Sequence, residues 1–356
     1  MLWPGLIPRG HPSSACSMTS VNRRALQGLK DNPIANLSPG ISGWRKRQMK
    51  PNLADVKNTL TRTTFPVSVI IETIAYCNLS CVMCPQPNLK RERGAMDFKV
   101  FSKIIDEIAL ENPATDVWLA LMGEPLIMGD KFIEMVRYAK GRGIKNVHLN
   151  TNACLLSNHL ASGLIAAGVD EIIVGLDAFT EQTYKRVRVG GDFLQTVANI
   201  EFLLDRRQAL GSLTPKVILQ FIVMEENEHE AEAFQRHWLS KNAIVKIRPK
   251  LGWGTGVQAD NLNLPDSERT FPCSWLTRTV SIHWTGRFAQ CDADFEGGYS
   301  PGDIRTQTIK EIWNGELARR RERHWAGDFG HDLCKNCHDW QAGRSAFYYP
   351  EQSAAL

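Results

Sequence analysis

The sequence predicts an α/β fold, with six β/α units followed by a small cysteine-rich C-terminal region. Three observations carry this. Between residues 66 and 252, β-branched runs alternate with helical apolar spacing, the pattern of parallel β/α units. Unusual polar residues gather just after each β-branched run. Beyond residue 252 the long periodicity ends and Cys273, Cys291, Cys334 and Cys337 follow. Six such units can curl into an incomplete barrel or lie flat as a doubly wound sheet. In both, the chemistry collects at the C-terminal ends of the strands.

Residues 1–65 carry Pro, Gly, Asn and Arg with little periodicity and read as an extended lead-in with one helix at most. Their basic run at 44–50 (WRKRQMK) reads as a solvated linker rather than a contact for an acidic partner, and Met18 and Met49 offer alternative starts. The first strand is expected at 67–74 (VSVIIETI). Asp97 then caps a helix whose Phe98, Phe101, Ile104, Ile105 and Ile108 fall on one face. Further strands are expected at 116–121, 146–150, 171–176, 217–223 and 244–247. The intervening helices are expected at 130–140, closed by Gly141, at 158–167, stopped by Gly168, and at 193–208 and 228–239. In the C-terminal region, 280–284 and 287–290 flank Thr285-Gly286 as a hairpin, and 309–321 reads as a short helical stretch. A region with so little apolar sequence needs a metal to hold it. The expected organisation is therefore an N-terminal extension (1–65), a β/α core (66–252), a cysteine-bearing domain (253–345) and a tail (346–356).

Composition bounds the function. Apolar residues make up 43% and charged residues 22% of the 356, which excludes disordered and collagen-like classes. No run of 18 apolar residues is present, so no conventional membrane span is expected. A net charge of +4 is too mild to point to nucleic acid. The nine cysteines are odd in number and no secretory signal precedes them, so a disulfide scaffold is not expected and a reducing, cytoplasmic setting is.

Cysteine spacing carries the chemistry. Cys77-x3-Cys81-x2-Cys84 sits on the loop after the first strand. Three thiolates are one short of the four that saturate a [4Fe–4S] cluster, and an unfilled position separates catalytic from structural metal sites. Zinc on three thiolates and a remote histidine is the alternative, but no histidine lies near this loop in the sequence. Cys273, Cys291, Cys334 and Cys337 make four thiolates, enough for a complete cluster or for a zinc-ribbon site. His338 is an additional candidate ligand there.

With these residues in view, the chain resembles the radical S-adenosylmethionine (SAM) superfamily. The cysteine loop matches the family signature. Gly123-Glu124-Pro125 resembles its glycine-and-glutamate motif, Thr151-Asn152 its strand-three turn, and 174–177 (VGLD) with Tyr184, Arg188, Gly190, Gly191 and Phe193 its strand-four region. One departure is Gly175, where many relatives carry serine. Cys273-x12-Gly286-x4-Cys291 with Cys334-x2-Cys337 resembles the C-terminal SPASM/twitch extension. The resemblance implies a partial (β/α)6 TIM-like barrel with a small C-terminal iron–sulfur domain, two [4Fe–4S] clusters and SAM as cofactor. It implies that Cys77, Cys81 and Cys84 hold the catalytic cluster and that Cys273, Cys291, Cys334 and Cys337 hold an auxiliary one. It also implies SAM contacts from Gly123, Glu124, Pro125, Asn150, Asn152 and Asp177, with Arg188 the candidate for the methionine carboxylate.

The implied reaction is reductive cleavage of SAM, with electrons from a flavodoxin or ferredoxin, and hydrogen abstraction from a substrate carbon. Dehydrogenation and epimerisation are both open. Cys154, on the active rim, is the candidate hydrogen donor for the second, with a small packing residue as its alternative. Glu72, His148, Gln220, Glu225 and Arg248 are candidate bases or substrate anchors. Residues 1–65 do not read as a leader-peptide-binding module, so the expected substrate is a carbohydrate-like or aminocyclitol-like small molecule, with a ribosomal peptide as the alternative. The rivals from other classes are a zinc-ribbon binding protein and a simple electron carrier.

Overall fold

The computed structural model describes residues 53–259, 262 and 264–342. Cys16, the basic run at 44–50, most of the lead-in and the tail lie outside the described residues. After a short helix α1 (Leu53–Asn58), six strands alternate with helices. These are β1 (Ser68–Ile71), β2 (Asp116–Trp118), β3 (Asn146–Thr151), β4 (Glu171–Gly175), β5 (Lys216–Val223) and β6 (Ile244–Pro249). The helices between them are α2 (Phe98–Glu111), α3 (Asp130–Gly141), α4 (Asn158–Ala167), α5 (Glu181–Val187), α6 (Phe193–Ala209) and α7 (Ala231–Ser240).

The strand order is 6-5-4-3-2-1, each strand parallel to its sequence neighbour. A doubly wound sheet reverses direction at a switch point, and this one does not. Right-handed crossovers along an unreversed order put every helix on one face. Accordingly α2 packs on α3, α3 on α4 and α4 on α6, while α7 lies on β5 and β6. Val117, Val147, Leu149, Ile172 and Val174 bury the helix-facing side of the sheet. The opposite side carries His148, Asn150, Gly175, Gln220 and Arg248, as a period of two requires. The sheet is an open partial barrel.

The helix starts follow the sequence signals. The Asp97 carboxylate accepts from the Lys99 amide at 2.7 Å, the Ser157 hydroxyl accepts from the Leu160 amide at 3.2 Å, and Gly168 ends α4 at φ +82. The expected first strand ends early, at Ile71, although Glu72 still donates its amide to Ile282 O at 2.9 Å. Its carboxylate, fully buried, takes Arg91 Nη2 at 2.5 Å and the Trp284 amide at 3.1 Å. Helix α5 has no counterpart among the expected elements. It is only seven residues long, too short for periodicity to register, and is set by the Thr180 cap.

The C-terminal hairpin forms as β7 (Thr279–Ile282) and β8 (Phe288–Ala289), but it is not set apart from the core. β7 lies parallel beside β1, pairing Ser68 with Thr279 through Ile71 with Ile282, so the sheet has eight strands. Helices α8 (Ser274–Arg278), α9 (Ile309–Asn314) and α10 (Glu316–Trp325) follow the same region. Phe288, Ile304, Ile309, Ile312, Trp313, Leu317 and Trp340 are buried, a larger apolar core than the sequence pattern suggests.

Candidate active site

The C-terminal ends of the strands surround a cleft of about 190 Å3. Its wall brings together Cys77, Cys81 and Cys84 with Gly123, Glu124, Asn150, Asn152 and Arg188 from the sequence expectations. Gln220 and Arg248 also line it. Pro125, Asp177 and Cys154 are not on the wall.

The cysteine loop is clamped by backbone bonds to the segment around the end of α5: Ser80 N to Val189 O at 2.9 Å and Val82 N to Val187 O at 3.1 Å. Burial pushes the Cys77 thiol up to about 11 and Cys84 up to about 12, and in both cases neighbouring cysteine thiolates add to the rise. Three sulfurs so placed hold their ionised form only against a strongly positive partner, which is what an iron–sulfur cluster provides. The donor set fits a cluster with one open corner.

Glu124 is 2% exposed and held rigidly. Oε1 accepts from Thr151 Oγ1 at 2.8 Å and from the Leu126 amide at 3.1 Å, while Oε2 accepts from the Asn152 amide at 2.7 Å. Burial raises its pKa, and these donors oppose the rise. Gly123 permits the close approach, since a Cβ there would lie 2.1 Å from Ile74 O. Asn152 Nδ2 donates to Asn78 Oδ1 at 2.9 Å, tying the strand-three turn to the cysteine loop.

The Arg188 side chain is 11% exposed, and its guanidinium reaches in two directions. Nη2 pairs with Asp177, and Nη1 lies 3.4 Å from Cys81 Sγ. Burial works against its charge, but Asp177 and the Cys81 sulfur outweigh it and hold its pKa above the ordinary value. Gly175 makes room for this arrangement, because a Cβ at that position would stand 2.2 Å from Arg188 Nη2. The departure from serine thus has a steric reason in this chain. Asp177 itself is fully buried at φ +57, its Oδ1 accepting from the Ile222 amide at 2.6 Å, and it stands behind Arg188 rather than on the cleft.

The Cys154 thiol lies 3.3 Å from both Tyr184 Oη and Thr196 Oγ1. The preceding Ala153 has φ +59, which turns the chain after Asn152 and aims the thiol beneath the rim. Pro125 is buried and starts the 3-10 turn Pro125–Met128. Glu72 is committed to Arg91, and Glu225 is exposed. His148 lies between Asp116 and Glu171, stacked on Trp118 at 4.3 Å between ring centroids. Trp253 and Met83 also line the wall without having been singled out from sequence. Trp253 sits in the turn-rich segment after β6, whose glycines were the one available signal.

The second cysteine group converges elsewhere. Burial is the main cause that raises Cys291, and repulsion from Cys273, Cys334 and Cys337 adds to it, so the four thiols share one environment. Cys334 is pushed up to about 11, chiefly by burial. Gln290 Nε2 donates to Cys334 Sγ at 3.3 Å, and Arg320 Nη1 holds Gln290 Oε1 at 2.9 Å. Arg269 Nη1 donates to Cys334 O at 2.9 Å. His338 is exposed beside Cys337. None of these sulfurs lines the cleft.

A family model for the radical SAM superfamily matches residues 71–236. An iron–sulfur cluster-binding domain, SPASM, matches 273–338. The chain thus carries a radical SAM domain followed by a SPASM domain. These two domains imply [4Fe–4S] clusters. A Pyrococcus furiosus protein, the tungsten-containing aldehyde ferredoxin oxidoreductase cofactor-modifying protein, is 28% identical over 289 residues, spanning 69% of this chain and 80% of that one. BtrN in complex with AdoMet and 2-DOIA superposes with a TM-score of 0.54 at 19% identity, over 78% of this chain and 94% of BtrN. Streptococcus suis SuiB bound to precursor peptide SuiA gives 0.62 at 12% identity, over 85% and 79% of the two chains. At these identities the two structures establish the fold. Among the described residues, no helix is long and apolar enough to cross a membrane.

Proposed function

We propose that this radical SAM enzyme abstracts hydrogen from a carbohydrate-like or aminocyclitol-like small molecule and that the outcome is oxidation. The observation that carries this is the placement of the two cysteine groups: three thiols on the cleft wall and four away from it. Cys77, Cys81 and Cys84 hold a catalytic cluster, and Cys273, Cys291, Cys334 and Cys337 an auxiliary one. When bound, the open-cornered cluster and SAM supply one-electron cleavage of a sulfonium and a carbon radical able to take a hydrogen atom.

The chain's own residues orient that chemistry. Glu124, fixed by three donors, presents its carboxylate to the methionine ammonium. Asn152 and Asn150 line the same wall, and Arg188 joins the cysteine loop to β4 through Asp177. The apolar part of the wall, Met83, Met122, Ile173 and Ile222, keeps water from the reacting carbon. Four thiolates saturate a cluster, which suits the second group to electron transfer rather than substrate binding. The Cys154 thiol, turned to Tyr184 and Thr196, favours oxidation over hydrogen return. Residues 66–252 serve as catalytic core and 253–345 as auxiliary domain, joined through the β1–β7 ladder, with a flavodoxin or ferredoxin as electron source.

The likeness to SuiB, solved with a precursor peptide, supports a peptide as the second reading. Anaerobic reconstitution with dithionite and SAM tests the proposal. Release of 5′-deoxyadenosine by the wild-type chain, and none by Cys84→Ala, is the expected result; a wild-type cluster that never cleaves SAM overturns it.

A further inference from the structure

The cleft contains a cation that the contacts described above leave uncommitted. Arg248 closes β6 on the inner face of the sheet and lines the cleft. Its Nε donates to Gln220 Oε1 at 2.8 Å and its Nη1 to Pro249 O at 3.2 Å, both uncharged oxygens. Nη2 has no partner, and the guanidinium forms no ion pair, among the described residues. The two carboxylates that favour its charge act from a distance, and both are already engaged. Asp177 is held by Arg188 and the Ile222 amide, and Asp339 by the Gly252 and Gly254 amides at 2.7 and 3.0 Å. Loss of water around Arg248 pulls its pKa down to about 10, and the Arg188 cation pulls the same way.

A half-buried cation bonded only to neutral oxygens is a favourable seat for an anion, which supplies the charge-assisted bond those oxygens do not. The contrast with Arg188 is direct. Both arginines line one cleft, but Arg188 has its carboxylate and Arg248 has none. Glu124, the acidic group on the wall, is held by three donors and assigned to the methionine ammonium. The uncommitted charge of the cleft is therefore positive and sits at the β6 end of the sheet, while the cysteine loop follows β1, five strands away in the order. Gln220, bonded to Nε, fixes the plane of the fork so that the free corner is pre-set for a planar or tetrahedral oxyanion.

We propose that Arg248 anchors an anionic group of the substrate, a carboxylate or a phosphate. This rests on the assignment of the cleft as the substrate site and narrows it: the sugar-like molecule, or the peptide that is its alternative, carries a negative charge.

The test uses anaerobically reconstituted, SAM-loaded enzyme titrated calorimetrically with inorganic phosphate and with succinate, and with glycerol as the neutral control. Wild type binds at least one of the anions and not glycerol, and the tighter anion names the group. Arg248→Gln weakens that binding about tenfold or more while SAM affinity stays within about twofold. Arg248→Lys, which keeps the charge and loses the fork, falls between, and it carries the test if circular dichroism shows the glutamine variant unfolded. Equal anion binding in wild type and variants, or none in wild type, overturns the proposal. A loss of SAM affinity that parallels the loss of anion binding also overturns it, assigning the cation to the cofactor instead. A wild-type enzyme that shows Arg248-dependent anion binding yet releases no 5′-deoxyadenosine sinks the proposed reaction and leaves the anion site standing.

Discussion

The two cysteine groups use the same side chain for opposite ends. Cys77, Cys81 and Cys84 come from one short loop, line an open cleft, and number one fewer than the four thiols that saturate a cluster. Cys273, Cys291, Cys334 and Cys337 come from distant points of the chain, stay off the cleft wall, and make a complete set. The first is surrounded by groups that can face a small molecule: Glu124, Asn152, Arg188. The second is surrounded by groups that face sulfur and its backbone: Gln290 on Cys334 Sγ and Arg269 on Cys334 O. Coordination number and access change together, and the surroundings of each group are suited to the difference.

The largest expected effect comes from removing one sulfur on each side. Cys84→Ala is expected to lose roughly four irons and all 5′-deoxyadenosine formation, since only two sulfurs of the loop remain to grip the cluster. Cys337→Ala is expected to lose a similar amount of iron yet still cleave SAM in the absence of substrate, within roughly tenfold of wild type. Iron analysis and product chromatography read both. If Cys337→Ala silences cleavage as fully as Cys84→Ala, the two groups are not separable and the comparison breaks.

Next comes Gly175→Ala. Its new Cβ would stand 2.2 Å from Arg188 Nη2, so the guanidinium must leave Asp177 or the strand must shift. Breaking a buried pair of this kind costs about 3 kcal/mol. Denaturant unfolding is expected to show that loss, with the electron paramagnetic resonance of the first cluster altered and that of the second unchanged. An unperturbed variant would mean that Arg188 has another resting place.

Gln290→Leu sharpens the other side. It removes the 3.3 Å N–H···S contact to Cys334 and is expected to lower the potential of the auxiliary cluster by roughly 50 mV, since hydrogen bonds to sulfur stabilise the reduced state. Potentiometric titration should find the first cluster unmoved.

The smallest effect is a pH dependence. Burial disfavours charge on His148, but Asp116 and Glu171 outweigh it and raise its pKa. A raised histidine contributes stability that is fully present below the unfolded value near about 6.5 and fades as pH climbs through the folded one. His148→Gln should therefore cost more stability near pH 6 than above about pH 8.5. His283, in the β7–β8 turn, behaves oppositely. Burial first, then Arg91 and Arg287, push it down to about 3, so it weakens the fold as pH falls below its unfolded value. Thermal melts across this range separate the two histidines.

Much of this was legible in the sequence, for identifiable reasons. The β/α periodicity, the Asp97 cap, the Gly168 stop and the cysteine spacing are local signals, and the strands, helices and loop they mark are in place. Partner choice across the fold was not legible. Nothing near residues 279–282 announces that this segment joins β1 rather than standing alone, because sheet pairing is set by packing at long range. The direction of Cys154 was hidden by the left-handed Ala153, which no periodicity rule anticipates in an alanine. Asp177 looked like a cofactor contact because it follows a strand end, but a carboxylate at φ +57 beside Arg188 turns inward. Gly175 appeared as a missing hydroxyl, and only the position of Arg188 shows it as needed space.

The central claim is that one cysteine group leaves a coordination site for SAM and the other does not. Two anaerobic variants isolate them: one with Cys77, Cys81 and Cys84 all changed to alanine, the other with Cys273, Cys291, Cys334 and Cys337 all changed to alanine. The electron paramagnetic resonance spectrum of each is recorded in the reduced state before and after SAM is added. The spectrum of the protein keeping only the first group is expected to shift on SAM addition, and that of the protein keeping only the second is expected to stay as it was. A SAM-induced shift in the second protein, or none in the first, would contradict the account.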